Sequence, residues 1–169
     1  MRRLLERLYD GAAVLAGLFM AGTLLAVLAA IVDRFVTLPV RGLDAYAGYF
    51  MAAAGFLALA HTLKRGEHIR VTLVLARLGP AGRHRLELLV LAVAVLLSAA
   101  LAFYSARLAW QSHEFNDIST GNDATPLWIP QLSMALGTAL LCIAFVDEWW
   151  LEWRGLREQS ASDELMHSE

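Results

Sequence analysis

Charge is what this sequence lacks over its longest stretches: residues 11–32, 45–63, 88–106 and 124–146 contain no Asp, Glu, Lys or Arg. A soluble domain interleaves polar with apolar residues, because each helix needs one face in water. Here the apolar residues come in blocks, and they make up 58% of the chain. Cysteine is nearly absent as well. The lone Cys142 lies within the fourth block, so an internal disulfide framework is excluded. The net charge of −2 says little about partners in so apolar a chain.

What the blocks do contain is length. A hydrocarbon layer about 30 Å thick is crossed by roughly 20 helical residues. Each block meets that requirement, so the expected fold is an all-α integral membrane protein with four transmembrane helices. The expected spans are about 11–32, 45–63, 87–110 and 124–148. They form one membrane domain over 1–153, followed by a polar tail over 154–169. Arg2 and Arg3 give the first block the look of a signal peptide, but its apolar stretch exceeds the roughly 7–15 residues of such a region. It is expected to be an uncleaved span.

Basic residues set the orientation. Lys64, Arg65, Arg70, Arg77, Arg83 and Arg85 fill the second loop; Arg2, Arg3 and Arg7 precede the first span; Arg154 and Arg157 follow the fourth. The other side has Arg34, Arg41 and Arg107. The positive-inside rule then puts both termini in the cytoplasm. Trp110, Trp128, Trp149, Trp150 and Trp153 all fall at or beyond the ends of the blocks, as expected where amphipathic rings sit among lipid headgroups. Residues 69–78 are too short to cross. As a short amphipathic helix they can lie in the interface, with Arg70 and Arg77 reaching lipid phosphates. Gly79-Pro80 is expected to end that segment, and Gly82 to loosen the turn into span three. Candidate lipid anchors are therefore Arg70, Arg77, Trp110, Trp149, Trp150 and Trp153.

Chemistry inside a membrane needs ionisable groups at depth, where they are costly to keep. A proton-coupled exporter needs a mid-helix carboxylate, but Asp33, Asp44 and Asp147 all sit at span ends. A haem-carrying anchor of a redox enzyme, the alternative function, needs facing axial ligands. His61 is the one histidine in an apolar block, near its end, and reads as an interfacial side chain. No enzymatic activity, resident cofactor, metal or nucleic-acid partner is expected. Small residues at four-residue spacing offer packing surface instead: Ala13-Gly17-Ala21, Gly22-Ala26-Ala30, Gly48-Ala52, Ser98-Ala102-Ala106 and Ser133-Gly137. Arg34 and Asp44 are candidates to pair with each other or with a partner, and Glu67-His68 to fix the second loop. Pro126 and Pro130 are expected to shape the start of span four, where proline is tolerated.

Several of these features fall in a recognisable order. "DRF" follows span one, "LDAYAGYFMAAAGFLALA" opens span two, "RGEHIRV" closes it, and "TPLWIPQLSMALG" introduces span four. Over residues 10–150 the chain resembles the small membrane subunit of tripartite ATP-independent periplasmic (TRAP) transporters. Asp44, Gly66, His68, Pro126, Trp128 and Pro130 carry the likeness. Asp44 stands where the family often has Glu. The resemblance implies a bacterial inner-membrane subunit that takes part in importing organic acids or related solutes. It implies a periplasmic solute-binding protein as one partner and a large multi-span permease subunit, holding the substrate and sodium sites, as another. The small subunit would pack against the large one and widen its stationary part.

Overall fold

A computed structural model describes residues 2–36, 41–65, 79–121 and 123–154. Four helices account for most of them: α1 (Arg2–Asp33), α2 (Leu43–Lys64), α3 (Pro80–Glu114) and α4 (Trp128–Trp153). Among the described residues there is no β-strand, only one isolated bridge between Ile118 and Pro126. All four helices are long and apolar enough to cross a membrane. Even the shortest, α2 with 22 residues, reaches about 33 Å at 1.5 Å per residue.

The helix ends follow local chemistry rather than the limits of the charge-free blocks. Helix α3 begins at Pro80, with Gly79 as its N-cap. Proline suits that first position because its missing N–H would have had no partner there. Gly82 therefore lies inside the helix and not in a turn. At its other end α3 stops in a motif closed by Asn116 in the left-handed conformation, φ 51°. The Asp117 N–H donates to the Ser112 carbonyl at 2.9 Å and that of Asn116 to His113 at 3.3 Å, satisfying carbonyls the helix leaves open. Helix α4 starts at Trp128, after Pro126. Pro130 falls in the first turn, where a backbone donor is not needed, so it introduces no break.

The helices pack in the spatial order α1–α2–α4–α3. No comparable contact between described residues closes this row into a ring. Side-chain size is sorted inside out: buried positions include Ala12, Ala16, Ala26, Ala47, Ala53, Ala54, Ala60 and Ala144, while Leu18, Leu24, Leu25, Leu96 and Leu97 are exposed. Lipid offers leucine an environment as apolar as a protein core, so close backbone approach decides what goes inside. Gly137 of α4 shows the limit of that approach. A Cβ there would strike the backbone of Phe56 on α2 and lie 2.8 Å from its Cβ. Between α1 and α2, Gly22 lies against the Phe50 ring, which also meets Phe19 at 5.9 Å.

The α3–α4 seam has another character. On α3 the buried residues Leu91, Ser98, Ser105 and Ser112 recur every seven positions. Such a repeat keeps one stripe facing the partner helix when the two cross with a slight left-handed supercoil. Buried Thr138 and Glu152 lie on α4. Thr138 donates within its own helix, to the Met134 carbonyl at 2.8 Å, and Ser98 likewise to Val95 at 3.1 Å. These hydroxyls are thereby satisfied without water.

Candidate functional site

Among the described residues, charged side chains gather towards the two ends of the bundle, while neutral hydroxyls such as Ser98 and Thr138 lie between. At the end where α1 begins and α4 finishes, each joint of the row is bridged by a carboxylate facing a histidine or lysine. Asp10 of α1 lies 3.5 Å from His61 of α2. Lys64 of α2 reaches Asp147 of α4 and is 3.1 Å from Glu148. His84 of α3 meets Glu152 of α4 at 2.9 Å. Under the Lys64 ammonium lies the ring of Tyr9, 5.8 Å away. That ring packs with Ala60 and Ala144, so the α2–α4 ion pair sits on an apolar floor.

Why these residues meet follows from depth. His61 and Lys64 occupy the last turn of α2, where the helix dipole favours positive charge. Asp147, Glu148 and Glu152 occupy the last two turns of α4, at the same end. Long basic side chains reach acids there while the aliphatic stem stays in apolar surroundings. Lys64 and Asp147 are both about one-fifth exposed, so this pair is partly desolvated.

At the opposite end, Asp123 acts as a latch. Its carboxylate accepts a hydrogen bond from Tyr49 of α2 at 3.0 Å and another from Ser119 at 2.9 Å. Hydrogen bonding from the Thr125 hydroxyl is the largest influence pulling its pKa down from 3.8 to about 2; Ser119 and Tyr49 add to it, against the upward push of burial. Gly42, the N-cap of α2, sits against Asp123 with φ 78°. A side chain there would press on the Asp123 Cα at 2.8 Å and strain the left-handed backbone. The loop itself is held by backbone bonds from Ser119 to Thr125 at 2.9 Å and from Leu127 to Asp117 at 3.0 Å.

The structure places the expected residues unevenly. Gly66, Glu67, His68, Arg70 and Arg77, the 69–78 segment and the tail from 155 onward lie outside the described residues. Arg34 and Asp44 are both exposed, and no ion pair joins them. Asp44 is in the first turn of α2, where a carboxylate complements the helix dipole. Trp128 packs edge-on against His113 of α3 at 5.3 Å, while Pro126 forms the bridge with Ile118. Trp110, Trp150 and Trp153 are exposed; Trp150 meets Trp153 at a 43° tilt and carries the Arg154 guanidinium 4.6 Å above its ring. His61 faces a carboxylate, as befits an interfacial histidine.

Sequence reasoning did not identify Tyr49, Asp123 and Gly42 as a unit, nor the Lys64 and His84 pairs. The matching depth of Lys64 and Asp147–Glu148 was the available signal for one of them. Among the described residues, no group of three His, Cys, Asp or Glu side chains is arranged to hold a metal ion. What the polar groups do is join helices.

Residues 23–155 match the family described as tripartite ATP-independent periplasmic transporters, DctQ component. Among curated proteins, none matches the chain.

Proposed function

The chain belongs to the DctQ family, the small membrane component of TRAP transporters, and from that premise we propose that it is the stationary scaffold subunit of a sodium-driven importer. On this reading it sits in a bacterial inner membrane with both termini in the cytoplasm. A large permease subunit holds the substrate and sodium sites and moves the solute, an organic acid or a related compound. A periplasmic binding protein delivers that solute. The basic second loop anchors the frame on the cytoplasmic side, with residues 69–78 in the interface.

The observation that carries the reading is the placement of charge. Each of the four helices keeps its charged residues near its ends and presents large apolar side chains outward. A substrate or ion pathway within a membrane needs polar groups at depth; a frame needs joints and broad apolar faces. The row has both, with a carboxylate facing a histidine or lysine at each joint.

Reconstitution tests this directly. Liposomes containing the purified chain alone should show no solute uptake under a sodium gradient, whereas liposomes also containing the large permease and the binding protein should. The chain should copurify with the large subunit in a fixed ratio. Uptake by the chain alone, or a stoichiometric haem absorption band in the pure protein, would overturn the proposal.

A further inference from the structure

Arg107 is an exposed cation on the outer face of α3, directly after the charge-free block 88–106. It makes no ion pair among the described residues, although α3 continues to Glu114. Tyr104 and Trp110, one helical step of three residues to either side, are 63% and 73% exposed. Residues three apart on a helix are surface neighbours, so the three side chains form one outward-facing group on an edge helix of the row. Apolar side chains surround it: Leu101, Phe103 and Leu108 are also exposed, and the Phe103 and Tyr104 rings meet edge-on at 5.6 Å.

We propose that Tyr104, Arg107 and Trp110 form a binding site for the phosphate of a membrane phospholipid in the leaflet away from the chain termini. The aromatic pair marks depth, because indole and phenol rings settle among headgroups, with the apolar part toward the acyl chains. Arg107 lies between them along the helix axis and so falls within the headgroup zone. A guanidinium there can offer two parallel N–H donors to a phosphate, while its methylene stem lies along the apolar face. Leu101 and Phe103, nearer mid-membrane than Arg107, supply the surface for the lipid's acyl chains. Charge complementarity commits the occupant. Phosphate is the anion the bilayer itself supplies at this depth, and a partner helix would have to bring a carboxylate to the same level.

The test uses the full chain in nanodiscs of phosphatidylglycerol and phosphatidylethanolamine, followed by native mass spectrometry of retained lipid. One phospholipid per chain should survive release from the wild type. R107Q should weaken its retention about fivefold, the factor set by roughly 1 kcal/mol per basic residue at a lipid surface. R107K keeps the cation and should retain part of the binding, and W110L should weaken it without removing the charge. Circular dichroism checks that each variant keeps its helix content. Unchanged lipid retention in R107Q overturns the site. So does a result in which R107Q retains lipid normally but loses copurification with a large permease subunit, since Arg107 would then answer a protein carboxylate.

Discussion

Asp123 shows how much a single residue can hold in a chain with few polar contacts. Its carboxylate joins α2 through Tyr49 to a loop 74 positions further on, and the Gly42 backbone closes over it. Because its pKa falls from 3.8 to about 2, the folded form favours the ionised carboxylate. The latch should therefore contribute fully above about pH 4 and weaken as the pH falls through about 2. Backbone amide resonances of Ser119 and Gly121 should titrate with a midpoint near the lower figure, and a midpoint near 4 would show the carboxylate unlatched. D123N should abolish that titration and speed hydrogen exchange between residues 117 and 127 at neutral pH. In the sequence, Asp123 is one acid of the polar stretch 111–125 between the third and fourth spans. No local spacing couples it to Tyr49, and the coupling exists only once α2 and the third loop share an end of the bundle.

Helices were the most legible level, because a charge-free block longer than the membrane is thick leaves the backbone little choice but to bond internally. Their faces were less so. The four-residue spacing Ser98-Ala102-Ala106 looked like a packing stripe, yet Ala106 is exposed while Ser105 and Ser112 are buried. A strict four-residue step drifts around the helix, whereas a seven-residue repeat stays with the partner. The Gly22-Ala26 stripe of α1 fared better, since Ala26 is buried and Gly22 abuts Phe50. This difference can be measured. S105L should overpack the α3–α4 seam and cost about 1–3 kcal/mol, lowering the thermal midpoint in detergent by several degrees. A106L, one residue away on the outer surface, should change stability by less than about 0.5 kcal/mol. Equal effects from the two would mean that α3 is rotated from its described position.

At the scale of the whole molecule the decisive property is connectivity between neighbours. Order along the chain does not reveal that α4 lies between α2 and α3; all four blocks are apolar enough to cross a membrane and fit several arrangements. Cross-linking reads it out. In a C142A background, cysteine pairs replacing Asp10 and His61, Lys64 and Asp147, or His84 and Glu152 should each be joined by a short bis-maleimide. A pair replacing Asp10 and His84 should not, because α1 and α3 are at opposite edges. Efficient joining of that last pair would indicate a closed bundle. An open row also has a geometric freedom that a ring lacks. Its two rims can each accept another helix without prying apart a joint already made, so the assembly can broaden by addition while its interior stays as it was.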